Sequence, residues 1–293
     1  MKPTIIILLA FIFLNSCKNS EDSKNESSAI QDSIANAKTV NVENMKSEVI
    51  SENNSSIAEN SQDDWYWKNT MMSKNNKFEN WDGGSAKLLM SYKSIGNGSE
   101  PKIIHVGSVN SEGLVQINLP EVITTETSLD YIGNLVFFDF QDIGALRYDN
   151  GKVGSFSRTS LQVEQHDKII GNITMGNSVR VTYNLTNQST LTMGDEGYIL
   201  YWVYVDEACK MQGTENRKDK VRRDGTNTID AATEVVYDLQ LKQGWNFVKT
   251  EVIGSYDLDH ERGLNASWFK KHKHTVVPEI PSDAVYFFRK NNY

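Results

Sequence analysis

The chain has 293 residues, 23% of them charged and 39% hydrophobic, and a formal charge of −8. Its length suits one large domain or two ordinary ones. The acidic balance argues against nucleic acid or an anionic lipid surface as partner, and two cysteines are too few for a disulfide framework.

Residues 1–17 have the three-part plan of a secretory signal. Lys2 supplies a positive start, residues 5–14 are an unbroken apolar run, and Leu14-Asn15-Ser16-Cys17 closes the run with small residues before a cysteine. The run is shorter than the ~20 residues that cross a bilayer as a helix. Its ending resembles the lipobox of bacterial lipoproteins: Leu14 three places before the cut, small Ser16 one place before it, and Cys17 just after it. Asn15 is a tolerable departure. The resemblance implies that 1–16 is a leader to be removed, that the Cys17 sulfur takes a diacylglyceryl group, and that the new amine is acylated with a palmitate-class chain. Two or three acyl chains anchor stably where one is marginal. No later apolar run approaches a membrane span, so the membrane is reached through the lipid on Cys17. Lys18 in place of Asp resembles lipoproteins passed to the outer membrane. Whether the chain faces the periplasm or the surface stays open.

Residues 17–62 read as the lipidated cysteine and a disordered tether. The 18–62 stretch has no Gly, Pro or aromatic residue and is dominated by Ser, Asn, Glu and Lys. Such a segment cannot bury enough apolar surface to offset its ordering entropy, and as a coil it spans roughly 35–40 Å. Asp32-Ser33-Ile34 resembles the acceptor triplet of a bacterial O-glycosylation system, which makes Ser33 the candidate glycosylation residue. Order is expected from about Asp63. Trp65, Tyr66 and Trp67 then arrive together and Trp81 follows. The favoured reading is that these rings cap the start of the core. The other is an exposed platform for a sugar or peptide, with Trp65, Trp67 and Trp81 as binding residues.

From Ala86 onward the apolar period is two. AKLLMSY (86–92) and KIIHVGSV (102–109) are predicted strands, and Asn110-Ser111-Glu112-Gly113 is a turn into LVQINL (114–119). Pro101 and Pro120 stand at strand ends, where a missing N–H costs little. The stretch GSVNSEGLVQINLP (107–120) resembles the hairpin of small Ig-like or transthyretin-like modules on bacterial surface proteins. YILYWVYVDEACKMQGTE (198–215) and VYDLQLKQGWNFVKTEV (236–252) resemble paired segments of uncharacterised bacterial lipoproteins. The resemblance implies an Ig-like β-sandwich and an envelope location, and it brings no catalytic residue.

Further strands are expected at 135–140 (LVFFDF), 145–148, 161–163, 168–174, 178–183, 235–241, 247–253 and 284–289. YILYWVYV (198–205) is apolar at every position, as in a central strand buried on both faces. Residues 215–227, with Arg217, Lys218, Lys220, Arg222 and Arg223, read as a polar, solvated hairpin excursion. Gly244 before Trp245 predicts a tight turn that returns Trp245 to the core. The expected fold class is all-β, with antiparallel sandwich modules at 65–158 and 159–293 and a single enlarged sandwich as the alternative.

Chemistry-bearing residues are sparse. His272 and His274, two apart, would share one face of a strand as a pair of metal ligands, but FKKHKH (269–274) is rich in lysine and reads as a solvated basic loop. Asp257, Asp259 and Glu261 alternate like a calcium loop, yet Gly263 falls one place late for it. Cys209 has no neighbouring His and reads as a small buried apolar residue. Asp139 and Asp142 are isolated carboxylates that pair only if the fold brings them together. Ser155 and Ser157 lack the glycine of a nucleophile elbow. No catalytic residue, metal site or cofactor is therefore assigned. The expected activity is binding or structural, toward a glycan, a peptide or an envelope protein, with an exported hydrolase of polysaccharide or peptide as the alternative.

Overall fold

The computed structural model describes residues 65–92, 102–123, 129–132, 139–224, 226–258 and 267–291. The leader, Cys17, the 18–62 tether with Ser33, most of LVFFDF, and Asp259, His260, Glu261 and Gly263 lie outside the described residues. The described residues are nearly all β. In chain order the strands are β1 (Thr70–Met72), β2 (Ala86–Tyr92), β3 (Lys102–Val109), β4 (Val115–Ile117), β5 (Asp130–Tyr131), β6 (Arg147–Tyr148), β7 (Gly154–Arg158), β8 (Ser160–Gln165) and β9 (Lys168–Gly176). A single turn and a half of helix, α1 (Val179–Asn184), comes next. It is followed by β10 (Gly197–Val205), β11 (Cys209–Asp224), β12 (Asn227–Leu241), β13 (Gly244–Asp257), β14 (Ser267–Val277) and β15 (Val285–Lys290). Among the described residues no helix is long and apolar enough to cross a membrane.

Hydrogen bonding runs β4-β3-β2-β8-β9-β10-β13-β14-β12-β11-β6, with β15 and β1 added on β9, and β7 and β5 on β10. Every pairing is antiparallel except β12 with β14. The sheet folds over on itself. Leu88, Met90, Val106, Leu161, Val163, Ile173 and Phe288 from one half meet Tyr198, Leu200, Trp202 and Tyr204 of β10 in one core. The intervening residues of β10, Ile199, Tyr201, Val203 and Val205, enter a second core on the opposite side. There they meet Val235, Tyr237, Leu239 and Leu241 of β12, with Val181 of α1 and Leu185 just after it. The all-apolar reading of 198–205 is thus realised as a strand with no solvent face.

Local chemistry sets the turns. Asn110 Oδ1 accepts from the N–H groups of Glu112 and Leu114 at 3.0 and 2.9 Å, and Gly113 takes φ +85° to close the β3–β4 hairpin. Gly244 takes φ +87°, and buried Asn246 locks that turn by accepting from Lys242 N at 3.0 Å and donating to Lys242 O at 2.8 Å. Trp245 returns to the core, its Nε1 donating to Pro120 O at 2.8 Å.

One expectation changes. Residues 178–183 form α1 rather than a strand: Ser178 Oγ caps it by accepting from Val181 N, although Val179, Val181 and Thr182 are β-favouring residues. The polar stretch 215–227 is a hairpin excursion, as read. It is the far end of the β11–β12 ribbon, paired from Cys209↔Leu241 out to Asp224↔Asn227. Its inward side carries Val221, Ala231 and Ile229 into a small cluster with Leu258, which alternating polar residues disguise. Strands from both sides of residue 158 share one sheet: β2 pairs with β8, β7 with β10, and β1 with β15.

The double burial of β10 makes a direct prediction. Trp202 is fully buried, so Trp202→Ala should cost about 3–5 kcal/mol. Lys218→Ala on the exposed side of the ribbon should stay within about 0.5 kcal/mol. Urea unfolding followed by tryptophan fluorescence measures both, and equal effects would contradict the described packing.

Candidate functional site

One buried polar cluster stands out, and strand register builds it. β14 lies between β12 and β13, with His274 opposite Tyr237 on one side and Thr250 on the other. Two residues earlier, His272 lies opposite Val235 and Val252. Both imidazoles turn to the face occupied by the second core, while Lys271 and Lys273 turn away from it. His272 and His274 are 0% exposed. The solvated-loop reading of FKKHKH is therefore corrected. The alternation of Lys and His is the period of a strand with one wet and one dry face.

The acid that joins them is Asp139. Its Oδ2 accepts from His272 Nδ1 and from His274 Nε2, each at 2.8 Å, and its Oδ1 accepts from Tyr237 Oη at 2.8 Å. His274 Nδ1 completes the chain with Thr250 Oγ1 at 2.8 Å. Aromatic faces close the sides: Tyr237 stacks on His274 at 4.1 Å and Phe269 on His272 at 3.9 Å. Outside the cluster, Arg217 Nη1 donates to the Asp139 carbonyl at 2.9 Å, and Gln141 N donates to Glu215 Oε2 at 2.7 Å. Segment 139–141 is thus pinned to β11, β12 and β14 at once. Asp142, the other isolated carboxylate, remains exposed and joins none of this.

Burial by itself would push the Asp139 carboxyl up. The charge of His274 and the hydrogen bonds from both imidazoles outweigh it and hold the carboxyl far below the usual range. For His272, burial pushes the imidazole down, and with the charges of His274 and Arg217 it outweighs the upward pull of Asp139. The register explains the difference in surroundings. His274 meets hydroxyl groups on both flanks, whereas His272 faces valines and its Nε2 has no hydrogen-bond partner. A neutral His272, protonated on Nδ1, leaves only a lone pair unsatisfied there.

The arrangement has the parts of acid–base chemistry, but none is open to solvent. Asp139, Tyr237, Thr250, His272 and His274 are all buried. Among the described residues no group of three or more His, Cys, Asp or Glu is placed to hold a metal ion. Cys209 is buried in the second core, where burial and then the nearby Asp149 and Asp206 push its thiol up to about 11. That makes it inert, in line with its reading as a small apolar residue.

The three tryptophans do not form one row. Trp65 and Trp67 lie on a 3-10 turn against α1 and β15, Trp67 packing on Phe287 at 6.1 Å. Trp81 packs on Phe288 at 5.1 Å. Phe287 and Phe288 are successive residues of one strand and point to opposite faces, so Trp67 and Trp81 lie on opposite sides of it. Trp81 is tied down further by Nε1 donating to Gly84 O at 2.6 Å. Trp65, 38% exposed, is the most exposed of the three, and Trp67 and Trp81 are half-buried. An open cavity of about 440 Å³ lies near the β8–β9 turn, with Lys87, Glu164, His166 and Asp167 in its wall. Lys87 and Glu164 in its wall pair with one another at 2.9 Å, and it has no Phe, Tyr or Trp wall.

Comparison with protein-family models, with curated proteins and with solved structures finds no match to this chain. The roles above therefore rest on geometry alone.

The sign of the pH dependence follows from His272. Its folded value lies below the unfolded value of about 6.5, so the unfolded chain binds more protons beneath that pH. Stability is full above about pH 6.5 and falls as pH drops below it, by up to about 1.4 kcal/mol per pH unit for this proton. Urea unfolding between pH 8 and 5 should show the slope, and His272→Phe should flatten it. Asp139 has the depressed value typical of a paired carboxylate, so its contribution persists down to about pH 4 and is lost below. Asp139→Ala at pH 7 should cost about 3–5 kcal/mol, because it strands three buried donors.

Proposed function

We propose that this chain is an exported lipoprotein, held to the outer membrane by acyl chains on Cys17. Its β body acts by binding a partner in the cell envelope rather than by catalysis. The anchor rests on residues 1–17 and on the lipobox resemblance. The reading of the body rests chiefly on one observation: the described cluster that unites a carboxylate, imidazoles and hydroxyls is sealed inside the second core. A site for polysaccharide or peptide hydrolysis needs those groups within reach of substrate. Here they tie segment 139–141 to three strands. They are a strut, and the surface is left to non-covalent recognition of a glycan, a peptide or another envelope protein.

The hydrolase alternative draws on one specific feature. Thr250 Oγ1, His274 and Asp139 follow one another in the order hydroxyl, imidazole, carboxylate. The imidazole is turned, however, so that Nε2 meets the acid and Nδ1 the hydroxyl, the reverse of the serine-hydrolase relay. Thr250 is also only 1% exposed.

Two measurements test the reading. Cells grown with a labelled fatty acid should incorporate label into this chain, and Cys17→Ala should abolish it. Label that survives the substitution would sink the anchor. Full-length protein purified in detergent should hydrolyse neither polysaccharide nor peptide substrates. Turnover that Thr250→Val removes, with the fold intact by circular dichroism, would replace the binding reading with the hydrolase one.

A further inference from the structure

The open cavity near the β8–β9 turn is built by strand register. Lys87 of β2 lies opposite Ser108 of β3 on one side and opposite Glu164 of β8 on the other. Their chain neighbours Leu88, Val109 and Val163 are fully buried, so the row Ser108–Lys87–Glu164 faces away from the core. Two turns border this row, the β3–β4 turn at Asn110 and the β8–β9 turn at His166 and Asp167. Two strand spacings, roughly 10 Å, separate β3 from β8. The result is a trough of about 440 Å³, within the roughly 300–1,000 Å³ of small-ligand sites. Lys87, His166 and Asp167 are exposed, so its polar groups reach solvent.

The chemistry of the lining narrows the ligand. Lys87 Nζ donates to Glu164 Oε1 at 2.9 Å. Glu164, through that bond and its charge, pushes the ammonium up, and the charge of Asp167 adds to the rise. An ammonium carries three donors and each carboxylate two acceptor oxygens, so the pair keeps capacity for a ligand. Asn110 Oδ1 is committed to the N–H groups of Glu112 and Leu114, which leaves its amide donor to offer. Two carboxylates face one ammonium, and that balance disfavours an anion. An apolar ligand would strand the polar groups. An extended peptide needs a strand edge to pair with, whereas this floor is the side-chain face of β3, β2 and β8. A hydroxyl both donates and accepts, so a ring carrying several matches the mixed set. The β8–β9 turn agrees with a role for its side chains. His166 and Asp167 take φ +49° and +59°, a two-residue turn in which glycine is the usual second residue. The chain keeps a carboxylate there instead.

We propose that this trough binds a neutral hexose residue of a glycan, with Lys87, Glu164 and Asp167 hydrogen-bonded to the ring hydroxyls and Asn110 donating from the opposite turn. The inference rests on the binding function proposed above and narrows it to an uncharged sugar. It is independent of the lipid on Cys17 and of the tryptophans. Lys87 and Glu164 already hold one another, so little side-chain freedom is lost on binding. Recognition here runs through hydrogen bonds made in competition with water, without ring stacking, and a single sugar unit therefore binds weakly.

The test uses full-length protein in a detergent without a sugar headgroup. The probes are the methyl glycosides of glucose, galactose and mannose, with methyl glucuronide as the charged control, titrated by saturation-transfer NMR. At least one neutral glycoside should bind with a Kd of about 1 mM, and the glucuronide should bind about tenfold more weakly. Asp167→Gly places glycine where the turn favours it, so the fold is kept while a ligand group is lost. It should weaken the neutral glycoside about tenfold, and Lys87→Met, on the exposed face of β2, should do the same. Circular dichroism checks that both variants stay folded. Absence of binding by all three neutral glycosides overturns the proposal. So does glucuronide binding as tightly as they do, or neutral binding unchanged in either variant. Each of these leaves envelope binding through another surface standing, whereas turnover lost in Thr250→Val removes that reading and leaves the sugar titration to its own result.

Discussion

Strand β10 has to be kept from water on both faces, and the rest of the structure answers to that requirement. Tyr198, Leu200, Trp202 and Tyr204 point one way, Ile199, Tyr201, Val203 and Val205 the other, and all are buried. A single antiparallel sheet ordinarily has one dry face. Here the sheet must bend over to cover one side of β10. The other side must be covered by something else, and β12, α1 and segment 139–153 do so. Each large apolar side chain so buried contributes about 1.5–3 kcal/mol, which makes β10 the densest source of stability in the chain.

The second core is the more demanding of the two because part of its cover is irregular backbone. A loop laid over a core carries polar groups that need partners. Asp139 supplies the solution. Its carboxylate accepts from two strands, its carbonyl accepts from Arg217 on a third, and Phe140 meets Tyr237 edge-on at 5.3 Å. The parallel β12–β14 pairing is what puts Tyr237 beside His274. A buried charge of this kind is tolerated because every oxygen of the carboxylate is satisfied. The groups that resemble a catalytic centre are thus explained by what they hold in place.

The two arginine–tyrosine contacts near the N-terminal edge illustrate the converse. Arg180 over Tyr66 is balanced by Asp195, whereas Arg289 over Tyr183 has no ion pair among the described residues.

Much of this was legible in the sequence. Period-two alternation located most strands, eight apolar residues in a row marked β10, and Asn110, Gly113 and Gly244 marked turns, because these features depend on neighbours in the chain. Alternation of Lys and His in FKKHKH was legible in principle as well. It was masked by lysine, whose charge reads as solvent although in a strand it speaks for one face only. Residues 178–183 misled for the opposite reason: β-branched residues were overruled by a serine cap and by the need to cover a core. What only the tertiary structure decided is partnership at long range. Asp139 lies 133 residues from His272 and 135 from His274, and Arg289 reaches Thr70 across 219. Which of these groups meet depends on which strands the sheet brings together, and no local pattern of residues encodes that.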